Sequence, residues 1–295
     1  MNIALPASAQ ALTLTSIDGT ELTALRYDAA VPRGRIVVAG ATGVPQLYYR
    51  AFAEYAASQG YTTLTLDYRG IGLSRPKSLR GFRMRYLDWA HQDLAAAVDA
   101  IPDDGLPLNM VGHSFGGHAF GLLPNVARVA RFYTFATGAG WHGWMPRAER
   151  LRVQLMWRVI GPVLTRWHGF LAWSHLGMGE DLPVDVYRDW KHWCRYPRYF
   201  FDDPAMAEQI TRRFDRVRTP IVAANAIDDL WAPPASRDAF MAGYRNAQLQ
   251  HVDLDPRALG IGPIGHMGYF RRRAQPLWDE VLAWFAAPAS EGGVV

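Results

Sequence analysis

The run Gly112-His113-Ser114-Phe115-Gly116 sets a serine between two glycines at the spacing of a nucleophile carried on a sharp turn. Glycine tolerates the backbone angles and close contacts that such a turn needs, so the hydroxyl can be lifted clear of the main chain. An apolar, strand-like stretch from Pro107 to Val111 comes before it, and a helix-like stretch from Phe115 to Leu123 follows. The free amides that open a helix, with its dipole, would then favour a negative charge beside the serine, and Phe115 N–H is the first donor. The chemistry implied is acyl transfer, in which a hydroxyl needs a base to take its proton and an acid to orient that base.

Both partners are present downstream. Asp228-Asp229 follows the apolar run Pro220 to Ala224 and precedes Trp231-Ala232-Pro233-Pro234. His266 lies in Gly262-Pro263-Ile264-Gly265-His266-Met267-Gly268, a loop after the last strand-like run, Gln248 to Val252. Of nine histidines it alone follows the acid on a loop flexible enough to aim its ring. His251 reads as strand packing, and His113 and His118 take structural or surface roles, since a base attached to the elbow itself would point along the wrong faces of the turn.

These residues are far apart in the chain, so a fold must gather them. Ala11 to Thr15 and Glu21 to Leu25 alternate around Asp18-Gly19, which predicts an antiparallel hairpin. Then Arg35 to Ala39 reads as a strand, Tyr48 to Gln59 as a helix, Tyr61 to Leu66 as a strand and Asp88 to Ile101 as a helix. Arg131 to Ala136 adds a strand after the elbow helix, and Phe270 to Ala287 closes the chain as an amphipathic helix. Alternating strands and helices predict an α/β fold with a doubly wound, mostly parallel sheet, whose carboxyl-end loops meet at one edge.

Residues 139–215 depart from this rhythm. They are helical and aromatic-rich, carry seven of the eleven tryptophans, and predict an inserted helical lid between core segments 1–138 and 216–295. Leu151, Leu155, Met156, Val159 and Ile160 recur at helical spacing. Two accounts fit that stripe: packing on the main domain, or a role for Met156, Trp157, Trp167 and Trp173 as the wall of an apolar acyl pocket or a contact with lipid. The expected substrate-binding residues are Trp141, Met156, Trp157, Trp231 and Met267.

Composition narrows the alternatives. At 295 residues, 49% apolar and 20% charged, the chain is of ordinary globular type. The net charge of +4 is scattered, the longest like-charge run is Arg271 to Arg273, and no nucleic-acid partner is expected. Cys194, the single cysteine, excludes an intrachain disulfide and a cysteine-built metal site. Met1 to Gln10 lacks the basic and apolar segments of a signal peptide, so a cytoplasmic location is expected. No stretch reaches the ~20 uninterrupted apolar residues of a membrane span, although peripheral lipid contact is open. The Gly138 to Gly143 run spells G-x-G-x-x-G, but Trp141 and His142 fill its turn, and His168 with His175 or Asp185 with Asp189 and His192 lack a metal-binding spacing. Neither a cofactor nor a metal is expected. The tail from Ala286 to Val295 is expected to fray.

The elbow, the Asp and His pair, and Leu66-Asp67-Tyr68-Arg69-Gly70-Ile71-Gly72-Leu73-Ser74 together resemble the α/β-hydrolase superfamily. The last of these is similar to its D-x-R-G-x-G-x-S turn, and the likeness runs over the whole chain, toward the capped bacterial branch of monoglyceride-lipase-like and serine-aminopeptidase-like enzymes. The resemblance implies a serine hydrolase acting on a carboxylic ester of an apolar small molecule or lipid. It selects Asp229 over Asp228 as the acid, because Pro233 stands four residues later. The family's usual His-Gly in the oxyanion loop is absent, and Ala39-Gly40-Ala41-Thr42-Gly43 stands there; by position Ala41 N–H is the second oxyanion donor, with Thr42 the alternative. An acyltransferase using the same residues, and a non-catalytic ligand-binding module, are the competing functions.

Overall fold

The computed structural model describes residues 5–177 and 179–288. Eight strands form one sheet in the order β1-β2-β4-β3-β5-β6-β7-β8. The hairpin is β1 (Gln10–Thr15) with β2 (Glu21–Tyr27), paired antiparallel with Leu14 opposite Leu22. β2 lies antiparallel to β4 (Tyr61–Leu66). β3 (Gly34–Ala39), β5 (Leu108–His113), β6 (Arg131–Phe135), β7 (Ile221–Ala226) and β8 (Leu249–Leu254) complete the parallel part. The sheet is therefore the mostly parallel α/β arrangement with an antiparallel hairpin that the alternating runs imply.

Both faces are covered, because side chains of a strand alternate. In β3, Ile36 and Val38 pack with Phe52 of α1 (Arg50–Ser58) and with a helix that closes the chain. Val37 and Ala39 join the opposite layer with Leu94, Val98 of α2 (Ala95–Asp99) and Phe120 of α3 (Phe115–Phe120). A wide π turn, Trp89–Leu94, leads into α2, so the expected Asp88 to Ile101 helix is only partly α.

Between β6 and β7 the chain is helical: α4 (Arg147–Leu155), a π turn (Met156–Ile160), α5 (Gly161–His168), α6 (Val184–Trp193) and α7 (Ala207–Phe214). The one extended pairing among the described residues there is an isolated bridge from Leu171 to Leu182. After β7 come α8 (Pro234–Met241) and the closing helix α9 (Gln275–Ala286). α9 begins five residues later than the pattern from Phe270 suggests. Pro276 occupies its first turn, where a missing N–H costs nothing, and Phe270 is spent in the core against Tyr49, ring centroids 4.8 Å apart. No helix among the described residues is long and apolar enough to cross a membrane. Of the tail expected to fray, residues 289–295 lie outside the described ones.

The segment after β4 ties the hairpin to the body. Asp67, buried, accepts Gln46 N–H at 2.7 Å and Leu73 N–H at 2.8 Å, which fixes the start of the loop below β3. Arg69, also buried, bonds Asp93 through Nε at 2.7 Å and Asp18 of the hairpin turn at 2.6 Å. Asp93 has no exposure, whereas Asp18 is open to water. Removing the cation strands a buried charge, which costs about 3–5 kcal/mol, while an exposed partner contributes under about 1 kcal/mol. Arg69→Met is therefore expected to lower the unfolding free energy by about 3–5 kcal/mol in a urea titration and Asp18→Asn by under about 1 kcal/mol. Equal effects would show that the Asp93 pair is not what holds this junction.

Candidate active site

β5 runs into α3 through Ser114, whose backbone sits at φ 52° and ψ −106°, a conformation that L-residues rarely adopt. Close packing holds it there. A Cβ on Gly116 would lie 2.1 Å from the Ala39 carbonyl oxygen, so only glycine lets α3 approach the end of β3. Ser114 N–H donates to Phe135 O at 2.8 Å, anchoring the turn to β6.

His266 Nε2 lies 3.1 Å from Ser114 Oγ. The other ring nitrogen, Nδ1, is 2.9 Å from Asp229 Oδ2 and 3.2 Å from Oδ1. The structure thus brings together three side chains separated by up to 152 residues. Asp229 is buried at the carboxyl end of β7, and its Oδ1 accepts Trp231 N–H and Ala232 N–H, each at 2.9 Å. Burial by itself would raise its pKa, but the imidazolium charge, the bond to His266 and the two amides outweigh burial and leave the carboxyl below its ordinary value.

Asp228, the alternative acid, faces elsewhere. Its two oxygens accept Ile264 N–H and Gly265 N–H at 2.9 Å each, so it grips the backbone immediately before His266. Adjacent aspartates on one loop divide the work: one holds the ring, the other the segment that carries it.

Two tyrosines that the sequence reading passed over complete this support. Tyr48 donates its hydroxyl to the Met267 carbonyl. Tyr49 Oη stands 3.0 Å from His113 Nδ1, and His113 Nε2 stands 2.9 Å from the His266 carbonyl. A carbonyl only accepts, so His113 carries its proton on Nε2 and takes the tyrosine hydroxyl proton at Nδ1. Complete burial, with the nearby His266 charge, pushes the His113 pKa down to about 3, so this ring is neutral in ordinary buffers. His113 has the structural role expected of it. Nothing in the spacing of Tyr48 and Tyr49 signals theirs; only their position just past the Gly40 to Gly43 loop is suggestive.

Of the two amides expected in the loop after β3, Ala41 and Thr42, the structure engages the first. Ala41 N–H donates to Tyr49 Oη at 2.7 Å and is therefore already committed. The Tyr49 hydroxyl fills the space below Gly40, which a larger residue at position 40 would contest, since an added Cβ would lie 3.1 Å from the ring. Thr42 N–H has no partner among the described residues, and Thr42 Oγ1 bonds Tyr86 Oη. Phe115 N–H opens α3, where a helix leaves its first amides without carbonyl partners.

Ser114 and His266 open into a cavity of about 460 Å³. Its walls combine Ala41, Thr42, Trp231 and Met267 from core loops with Val153, Trp157, Trp173 and Trp190 from the β6–β7 insertion. Trp157, Trp231 and Met267 are where the sequence reading puts them. Trp141 and Met156 are not. Trp141 folds back over Gly143 and meets Trp144 edge-on at 5.6 Å, while Met156 starts the π turn and points into the core. Trp190 of α6, Cys194 just after it and Met145 before α4 also line the cavity, and nothing in their sequence spacing marks them. A wider depression of about 1050 Å³ opens at the amino ends of the strands, around Arg33, Tyr61 and Arg131. Ligands of parallel sheets bind at the carboxyl ends, where the serine cavity lies. Among the described residues no three His, Cys, Asp or Glu side chains group as metal ligands.

The arrangement has relatives. A model of the alpha/beta hydrolase family matches residues 36–288. Among solved structures, a soluble variant of monoglyceride lipase from Saccharomyces cerevisiae superposes with TM-score 0.68 at 14% identity, covering 97% of this chain and 96% of that one. An esterase from Exiguobacterium antarcticum gives 0.62 at 13% identity, covering 94% and 100%. The epoxide hydrolase of Vigna radiata gives 0.60 at 12%, covering 96% and 99%. At these identities the likeness concerns the fold. No curated protein sequence matches the chain. The family match spans most of the chain, from β3 to the end of α9, and the protein belongs to the alpha/beta hydrolase family.

Proposed function

We propose that this protein is a serine hydrolase that cleaves a carboxylic ester with an apolar acyl or alcohol portion through an acyl-enzyme on Ser114. The observation that carries this reading is the continuous chain from Asp229 through His266 to Ser114 Oγ, with contacts of 2.9 Å and 3.1 Å. His266 takes the hydroxyl proton as Ser114 attacks the ester carbonyl, then returns it to the leaving alcohol. Water repeats the sequence on the acyl-enzyme. Asp229 keeps the proton-bearing nitrogen of His266 on the Nδ1 side and stabilises the imidazolium that forms. The amides of Phe115 and Thr42 receive the oxyanion, since Ala41 N–H is held by Tyr49. Serine at position 114 argues against the chemistry of dehalogenating relatives, which needs a carboxylate nucleophile. Residues 139–215 act as a lid, with Trp157, Trp173 and Trp190 forming the apolar roof over the serine. A small-molecule ester is the partner, and a cytoplasmic setting agrees with the lone cysteine.

Ser114→Ala is expected to lower kcat on a short p-nitrophenyl ester about a millionfold, with the folded state unchanged by circular dichroism. Equal rates for the two proteins would end the proposal. Wild-type enzyme quenched in mid-reaction is expected to carry the acyl mass on the peptide containing Ser114.

The two aspartates separate in the same assay. Asp229→Asn leaves the wrong tautomer and is expected to cost about ten-thousandfold in kcat. Asp228→Ala releases only the loop amides and is expected to cost about ten- to a hundredfold, the worth of about one bond to a charged acceptor, because the ring keeps its own acid. The reverse ranking would reassign the acid.

The lowered Asp229 pKa also has a sign. A carboxyl depressed in the folded state is ionised at every pH above its ordinary value of about 4, and the stability it lends is lost only as pH falls through its lower folded value. Asp229 is therefore expected to add no step of its own to the acid limb of kcat/KM above about pH 4. A second carboxylate step between about pH 4 and 6 would contradict this assignment.

A further inference from the structure

The α4, π-turn and α5 segments form one unbroken helical run from Arg147 to His168. Its inner side is accounted for: Val153 and Trp157 line the serine cavity, and Met156 is buried in the core. Its outer side is not. Leu151, Leu155, Val159, Val163 and Trp167, every fourth residue over the run, all face water, with Leu151 70% and Trp167 78% exposed. They supply half of the ten large hydrophobic side chains that are exposed among the described residues.

That the five share one side is a consequence of the π turn. In a regular α-helix each step of four residues rotates by about 40°, so five such positions would wander about 160° around the axis. The turn at Met156–Ile160 holds more residues per revolution and takes back part of that rotation in the middle of the row. The helix thereby presents a narrow apolar ridge and not a spiral.

The charge beside the ridge is one-sided. Residues 147–168 contain five arginines and one carboxylate, Glu149. Glu149 is buried, where it accepts the Trp231 indole N–H at 2.8 Å and pairs with Arg152 at 3.2 Å. Arg150 is spent on the His142 and Gly143 carbonyls. Arg147, Arg158 and Arg166 are exposed and have no carboxylate partner among the described residues. An apolar row ending in tryptophan and flanked by free guanidinium groups matches the boundary layer of a bilayer, where acyl chains meet anionic headgroups.

We propose that this outer face of the insertion docks on a lipid surface that carries anionic headgroups. A second copy of the chain is a poorer occupant, because an isologous pairing would set the same unpaired arginines against one another. A protein partner needs about 800 Å² per side of matched surface, which a ridge one residue wide does not provide. A fluid bilayer conforms to it. The inference is independent of the proposed hydrolysis, but docking there would set the roof of the serine cavity at the lipid boundary.

The test is co-sedimentation of the Ser114→Ala protein, so that lipid cleavage plays no part, with vesicles of phosphatidylcholine alone or mixed with phosphatidylglycerol. Retention is expected on the mixed vesicles and not on the neutral ones, and it is expected to weaken with added salt. Leu155→Ser with Val159→Ser is expected to lower the apparent affinity about tenfold per residue, and Arg158→Gln with Arg166→Gln about fivefold per residue. None of these side chains touches the cavity, so the parent enzyme bearing them should keep its rate on a soluble ester. Absence of retention on mixed vesicles, or retention indifferent to the ridge substitutions, would overturn the proposal. So would a dimer in light scattering that Leu155→Ser with Val159→Ser converts to monomer, because the face would then belong to a second copy.

Discussion

The geometry of the site depends on holding one imidazole still on a loop that has no helix or strand of its own. His266 follows Gly265, which adopts φ 53°, and precedes Gly268, which packs against the Ile264 carbonyl, so the backbone path is set by glycines. Glycines allow such a path but do not enforce it, and the loop would otherwise lose its aim to conformational entropy. Enforcement comes from outside the loop. Asp228 takes two amides before the histidine, His113 takes its carbonyl, Tyr48 takes the next carbonyl, and Asp229 takes the ring. The turn that carries the imidazole is therefore held from three places: the loop after β7, the end of β5 and the segment before α1.

The same supports reach the loop proposed to receive the oxyanion. Tyr49 receives Ala41 N–H and gives its own proton to His113, so the loop after β3 and the loop after β8 are joined through two buried side chains. The relay works only if His113 is neutral, because an imidazolium would present two donors and the tyrosine proton would have no acceptor. Full burial secures that neutrality. The loop after β3, which carries no His-Gly pair, is thus held by a side chain eight residues further on. The tyrosine hydroxyl fixes the loop from below, and the donated amide moves the free N–H one residue along, to Thr42.

Much of the fold is legible in the residues alone. The Asp18-Gly19 hairpin, the strands of the parallel sheet and the turn at Ser114 all announce themselves through alternation, apolar runs and glycine placement, and each stands within about two residues of its expected position. The grouping of Ser114, Asp229 and His266 is legible for the same reason, since loops at the carboxyl ends of parallel strands must share an edge. The direction of the Ala41 amide is not, because it depends on where a tyrosine eight residues later places its hydroxyl. The spacing to Pro233 singles out Asp229, but the work of Asp228 on the loop amides is hidden. Neighbouring carboxylates have the same chemistry, and the path of a loop 37 residues away decides what the second one holds.

Met156 shows a different limit, that of helical periodicity itself. Read with a regular period, Val153, Met156 and Trp157 fall on one face, so all three should border the same space. The π turn that starts at Met156 breaks this count: Val153 and Trp157 border the cavity, while Met156 turns into the core. Amino-acid type gives no warning, since the segment Met156 to Ile160 contains neither glycine nor proline. The irregularity nevertheless has a use on both sides of the helix. It brings the large Trp157 indole under the roof of the cavity, and it keeps Val159, Val163 and Trp167 in line with Leu151 and Leu155 on the water side. A helix of uniform pitch could not satisfy the two faces with this spacing. The local departure from regularity is therefore what lets one segment close the cavity and present an apolar ridge at once.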